Sequence, residues 1–301
     1  MCTATSTGTL DFYKLSATTS DAHPRITLLT SCRITTSDTL TLSFSFHQSL
    51  PVFSATLSTG EVVVGRHNIR GVKEAPSAIE ITPSPLQTVL EHSLEAWTSA
   101  ISFDGYGILS GGDDCIFQYR ALTVSHDPDT VISEDYAGVT ATWSNKKFHM
   151  AGVTAILPLS VGFVVTGSYD DHIRIISIVQ RPRVLAELNL GGGVWRLKLI
   201  ETRGKADHRE WIVLASCMHA GAKIVSVRHD VDGVWEIEVL ATFEEHKSMN
   251  YGSDVQPIPD PDRHEEQAKQ RVIVSTSFYD KLLCLWKWKG DTETEPEDLQ
   301  Q

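Results

Sequence analysis

The chain has 301 residues, with 38 acidic against 26 basic side chains for a formal net charge of −12. That balance argues against binding a phosphate backbone, which depends on clustered Lys and Arg. The length suits either two domains of about 150 residues or one large all-β domain. Five cysteines (Cys2, Cys32, Cys115, Cys217 and Cys284) are scattered with no CxxC pair, so neither a zinc site nor a disulfide framework is expected.

In chain order, the opening MCTATSTGTLDFYKL lacks the basic and apolar regions of a secretory signal. Thr39–Phe46 (TLTLSFSF) alternates, with Leu40, Leu42, Phe44 and Phe46 on one face. The uncharged stretch Phe148–Tyr169 contains Pro158 and interior glycines, so it breaks into two short strand-like pieces and does not form a membrane span. Alternation returns in His172–Ile178 (HIRIISI), Trp235–Ala241 (WEIEVLA) and Leu282–Trp288 (LLCLWKW). Period-two runs rich in β-branched and aromatic residues are half-buried strands. No long amphipathic helix is found, which makes the expected fold all-β. A reduced, soluble, cytoplasmic protein is expected.

A turn motif recurs. Ser110-Gly-Gly-Asp-Asp114 and Thr166-Gly-Ser-Tyr-Asp170 place their last Asp residues 56 apart, and Ser275-Thr-Ser-Phe-Tyr-Asp280 follows 110 residues after Asp170. Ser216-Cys-Met-His219 stands between them, and weaker copies lie at Ser58-Thr-Gly-Glu61 and Thr7-Gly8. His92, His149 and His246 each precede a strand upstream of such a turn. This pattern resembles the WD-repeat β-propeller. The resemblance implies that His92 with Asp114, His149 with Asp170 and His246 with Asp280 are structural couples, bonded with Ser and Trp within one blade. A repeat of about 43 residues suggests seven blades, but five are anchored, with a remnant at the start. The expectation is six or seven blades with an incomplete N-terminal one, spanning residues 1–290. The insertion Val255–Gln270 reads as a surface loop. Residues 291–301, with five acids and no base, read as a disordered acidic tail.

Other motifs occur in one order: His92-Ser-Leu-Glu-Ala-Trp97, Gly192-Gly-Val-Trp-Arg196, Ala215-Ser-Cys-Met-His219, Tyr251-Gly252 with Asp254, Ser277-Phe-Tyr-Asp280 and Leu285-Trp-Lys-Trp-Lys-Gly290. Together they resemble the diphthine methyl ester hydrolase family, which older naming calls diphthine methyltransferase. The resemblance covers His92 to Gly290 and is poor before Leu28. It implies a cytoplasmic enzyme of diphthamide biosynthesis that removes the methyl ester from methylated diphthine on translation elongation factor 2, releasing methanol. The factor would be its protein substrate. No cofactor, metal, nucleic acid or membrane is expected, and the chain is expected to act as a monomer. A non-catalytic scaffold presenting the factor to other enzymes is the alternative.

No GxSxG elbow, HExxH pair or Gly-rich phosphate loop is present, so the chemistry is sought where the repeat breaks its own pattern. In one blade His219 stands where others have Asp, and Gly191-Gly192-Gly193 stands where others have His. His219 is therefore spared the usual couple, and histidine suits general base work at cellular pH. Cys217, two residues earlier, falls on the same face if strand alternation continues. It is a candidate nucleophile, and water activated by His219 is equally compatible. Trp97, Trp195 and Tyr251 start first strands, with Glu95 and Asp254 beside them. Aromatic faces and carboxylates suit the quaternary ammonium that diphthine carries. Arg196 is a candidate for the substrate's carboxyl end, and the amides of Gly192 and Gly193 for an oxyanion site.

Overall fold

A computed structural model describes residues 1–16, 25–66, 86–123, 142–179, 181–205, 208–256 and 270–290. The predicted tail 291–301 and most of the predicted loop 255–270 lie outside the described residues. Among those described there are 22 strands and no helix, so none is long and apolar enough to cross a membrane. The chain divides into two compact units, Met1–Glu187 and Leu188–Gln301.

The first unit contains four antiparallel sheets. The first is β1 (Cys2–Ala4), β2 (Thr9–Ser16) and β3 (Arg25–Arg33). The second is β4 (Thr41–Phe46), β5 (Val52–Leu57), β6 (Glu61–Arg66) and β7 (Gln87–Glu91). The third is β8 (Ala96–Ile101), β9 (Gly107–Gly112), β10 (Phe117–Ala121) and β11 (Thr142–Asn145). The fourth is β12 (Val153–Ser160), β13 (Phe163–Ser168), β14 (His172–Ser177) and β15 (Arg183–Asn189), whose last two residues lie past the unit boundary. The second unit holds β16 (Arg196–Lys205), β17 (His208–Ser216), β18 (Ala222–His229) and β19 (Trp235–Phe243), then β20 (Asn250–Val255), β21 (Gln270–Ser277) and β22 (Leu283–Lys289).

Every sheet is a meander in which successive strands neighbour one another, the arrangement of a β-propeller blade. Burial follows strand position. The second strands β5 and β9 are buried along their whole length, because apolar side chains cover both faces. The outer strands β15 and β19 stay partly or largely open. Each unit has its own apolar clusters. Val52, Val62, Ile101 and Ile108 form one in the first unit, and Ile212, Leu214, Ile224 and Ile273 form one in the second.

A bulge recurs near the start of the first strand. Register shifts between Thr41 and Ser43, Ala96 and Thr98, Val153 and Ala155, and Asn250 and Gly252. The extra residues are Leu42, Trp97, Thr154 and Tyr251. A bulge re-aims the side chain it carries, so two candidate aromatics owe their placement to this irregularity.

The three His–Asp couples differ in geometry. In the third sheet His92 Nδ1 lies 2.9 Å from Asp114 Oδ1, and its Nε2 lies 2.9 Å from Ser110 Oγ. Burial opposes ionisation of Asp114, but the bond and charge of His92, with the amides of Ile116 and Ser93, together hold the carboxyl below its ordinary range. In the fourth sheet His149 Nε2 meets Thr166 Oγ1 at 2.8 Å, while Asp170 accepts from Arg174 Nη1 at 2.9 Å and from the Met150 amide at 2.8 Å. Asp170 is thus bonded by Arg174 and not by His149. His149 Nδ1 is buried without a hydrogen-bond partner among the described residues. In the last sheet Ser277 Oγ stands 3.0 Å from His246 Nδ1, and Ser275 Oγ links His246 Nε2 (2.8 Å) to Trp286 Nε1 (3.2 Å). Asp280 instead accepts from Ser248 Oγ at 2.6 Å and from the Lys247 amide at 3.1 Å. The expected direct bonds of His149 to Asp170 and of His246 to Asp280 are therefore replaced, by an arginine in one case and serines in the other.

Candidate functional site

The second unit gathers most of the candidates around the turn that joins β17 to β18. β17 ends at Ser216, and the chain then reverses. The Cys217 amide bonds Gly221 O at 2.7 Å, the Ala220 amide bonds Cys217 O at 2.8 Å, and Met218 takes φ +45°. This reversal corrects the expectation that Cys217 and His219 share a face, because strand alternation has stopped before either residue. Cys217 is fully buried, with Sγ 3.7 Å from Ala215 O, and His219 is exposed. A buried thiol in apolar surroundings is inert, so of the pair only His219 is open to a ligand.

Gly192 fixes where this turn lies. A β-carbon there would stand 2.3 Å from Cys217 O, so the missing side chain admits the turn itself. Gly192 and Gly193 are both buried, and the close approach that Gly192 permits is to the protein's own backbone. Across the turn, the Asn250 amide bonds Met218 O at 2.9 Å. The fully buried Asn250 is held by bonds from its Nδ2 to Thr276 O (2.8 Å) and Gly252 O (3.1 Å). His219 and Tyr251 are thus each one residue from a shared backbone bridge.

A row of rings follows. Trp195 and Tyr251 have ring centres 5.2 Å apart, Tyr251 and Phe278 6.1 Å, and Phe278 and Tyr279 5.2 Å. Burial, and then the neighbouring Tyr279 hydroxyl, push the Tyr251 phenol above its ordinary value. Arg196 donates from Nη1 to Trp195 O at 2.9 Å, and its guanidinium carbon stands 4.9 Å from the centre of the Trp195 ring. Asp254 is exposed and ion-paired with Lys198. Phe278 and Tyr279 were missed as site residues because their motif reads as a repeat turn. The available signal was two adjacent aromatics at a turn tip, where an apolar side chain has no core to join.

Trp97 and Glu95 lie in the first unit. Trp97 Nε1 donates to Asp113 Oδ1 at 3.0 Å, and its ring stands edge-on to Tyr169 at 6.4 Å. Glu95 is half-buried, and its backbone carbonyl accepts from the Asp113 amide at 2.9 Å. No group of three or more His, Cys, Asp or Glu is placed to hold a metal among the described residues.

Comparison with known proteins gives four curated relatives of one name, and no family model matches the chain. The chain is 29% identical over 294 residues to the diphthine methyltransferase of Schizosaccharomyces pombe, a match covering 95% of this chain and 74% of that protein. It is 27% identical to that of Saccharomyces cerevisiae, covering 66% and 50%, and 30% identical to that of Mus musculus, covering 54% and 31%. The chain therefore matches half of the budding-yeast protein and under a third of the mouse one. Among solved structures it is similar to a chain in the mitotic checkpoint complex, at TM-score 0.57 and 14% identity over 96% of this chain and 71% of that one. Sqt1 of Chaetomium thermophilum, bound to the N-terminus of the ribosomal protein L10, gives TM-score 0.54 and 13% identity with the same coverage. At such identities the likeness speaks for the fold, a WD-repeat β-propeller, and for nothing more. In sequence the chain is thus similar to diphthine methyltransferases, over 95% of its length in the fission-yeast case.

Proposed function

We propose that this chain is a carboxylic ester hydrolase of diphthamide biosynthesis, removing the methyl ester from methylated diphthine on translation elongation factor 2. The observation that carries the reading is the exposed imidazole of His219, whose turn is bridged through Met218 and Asn250 to the strand bearing Tyr251. In the proposed reaction His219 takes a proton from water as the oxygen attacks the ester carbonyl. The tetrahedral intermediate collapses with cleavage of the carbonyl carbon–methoxy bond. The methoxy oxygen leaves with that proton as methanol, and the acid formed ionises to a carboxylate. Trp195 and Tyr251 offer faces to the quaternary ammonium, which cannot donate a hydrogen bond and is best held by π-systems. The burial of Cys217 favours water over the thiol as nucleophile.

The name shared by the relatives speaks of methyl transfer, so the test must separate transfer from hydrolysis. The factor is incubated with the protein in reducing buffer in two parallel reactions, the methylated form without any methyl donor and the unmethylated form with S-adenosylmethionine. Loss of one CH2 from the factor together with methanol release is expected. A mass gain that requires S-adenosylmethionine would establish a transferase, and binding with no mass change would establish a scaffold.

A further inference from the structure

The face of Trp195 already holds a cation, the guanidinium of Arg196 at 4.9 Å from the ring centre. From Trp195 the row of rings runs through Tyr251 to Phe278 and Tyr279, which are 67% and 70% exposed. Exposed aromatics usually sit on yielding loops, and these do not. The Phe278 amide bonds Met249 O at 3.1 Å, and the Tyr279 amide bonds Ser248 Oγ at 3.1 Å. Ser248 Oγ in turn donates to Asp280, and Ser277 closes the turn by bonding Leu282 O at 2.9 Å. Two large rings are thus held out to solvent on a braced turn, continuing a row whose far member, Trp195, has a guanidinium over its face.

We infer that Arg196 is the resident occupant of this aromatic site, and that an incoming alkylammonium group displaces it from Trp195, with Phe278 and Tyr279 completing the enclosure. The argument is one of matched chemistry. Ring faces attract cations through their quadrupole, and the attraction grows when solvent is excluded. The Nη1 bond of Arg196 to the carbonyl of Trp195 holds the guanidinium beside the ring, so a displaced guanidinium swings off the face and exchanges that bond for water. A resident charge lowers affinity for every competing cation and keeps the ring face from collapsing onto its neighbours. The inference rests on the reading of this row as the holder of the substrate's cationic end, and it changes the role of Arg196 from a carboxyl clamp to an internal competitor.

The test uses the intact protein with tetramethylammonium as probe and tert-butanol as its neutral counterpart, followed by the indole NMR signals. Tetramethylammonium should shift the Trp195 signal, with tert-butanol binding far more weakly. Arg196→Met, which keeps the stem and removes the charge, should tighten tetramethylammonium binding by about two- to fivefold, the worth of an exposed cation–π contact. Phe278→Ala, at an exposed position, should weaken it. If Arg196→Met does not fold, Arg196→Gln must show the same gain. Unchanged or weaker binding in the charge-free variant, or equal binding of tert-butanol, overturns the inference. Because the probe carries no ester, a protein that hydrolyses the methylated factor but shows no gain loses this inference alone. One that shows the gain without hydrolysis loses the proposed function alone.

Discussion

A β-carbon built on Gly192 would lie 2.3 Å from the carbonyl of Cys217 and 3.0 Å from the amide of Ala220. Neither backbone group can yield cheaply, so Gly192→Ala must push the turn that presents His219. Overpacking of this kind costs about 1–3 kcal/mol, and turnover should fall at least tenfold, checked by thermal unfolding and by methanol release. His219→Ala is the contrasting case. The side chain is exposed, so stability should change by less than about 0.5 kcal/mol while turnover is lost. Cys217→Ala should keep turnover, and abolition of it would restore the thiol as nucleophile. At this scale the sequence pointed to His219 through the exchange of Asp for His, a substitution that stands out against the repeat. It misplaced Cys217 because period-two reasoning was carried past Ser216, where the strand ends and φ at Met218 turns positive.

Within each sheet, the alternating runs announced the strands directly. The run Thr39–Phe46 became β4, His172–Ile178 β14, Trp235–Ala241 β19 and Leu282–Trp288 β22, each within two residues at either end. Bulges were not legible, since nothing in the composition of Ala96-Trp-Thr or Asn250-Tyr-Gly marks one extra residue. The polar couples were legible as residue types but not as bonds. Arg174, read only as part of an alternating strand, takes the carboxylate of Asp170. Ser277, read as a turn residue, takes the imidazole of His246. The His92–Asp114 contact is direct and almost wholly enclosed, with side chains 0% and 1% exposed. Asp114→Asn removes the charge from a buried pair and should destabilise the protein by about 2–4 kcal/mol, measured by urea unfolding. Asp280→Asn should lower the unfolding midpoint by less than Asp114→Asn does, because that carboxylate braces a turn at the surface, where solvent screens its bonds.

Across the whole molecule, all-β architecture follows from the period-two alternation, and the WD-repeat reading from the resemblance of the recurring turn motif, which most of the blades carry. The division after Glu187 was not legible for the same reason, since the two units are written in the same repeat. The first and last sheets have three described strands each, of which only the N-terminal shortfall was expected. The summed titration behaviour sets a pH profile. Burial, followed by the charge of Arg174, holds His149 down to about 3 against an ordinary 6.5, and burial lowers His246 as well. Between those values the unfolded chain binds the proton that the folded chain refuses, so stability is level above about pH 6.5 and falls as pH drops toward 3. The carboxylates act lower down. Burial opposes ionisation of Asp170, but Arg174 and the amides of Met150 and His172 together hold it below its ordinary range, and hydrogen bonds from Ser248 and Ser277 bring Asp280 to about 2. Their stabilisation is complete above about pH 4 and is lost only as pH falls through these depressed values. The decline between pH 6.5 and 4.5 therefore belongs to the histidines, at up to about 1.4 kcal/mol per pH unit for each proton refused. Thermal unfolding across that range should show the fall in the wild type and a shallower one in His149→Gln, which has no imidazole to protonate. Equal slopes in the two proteins would show that His149 is not buried in its neutral form.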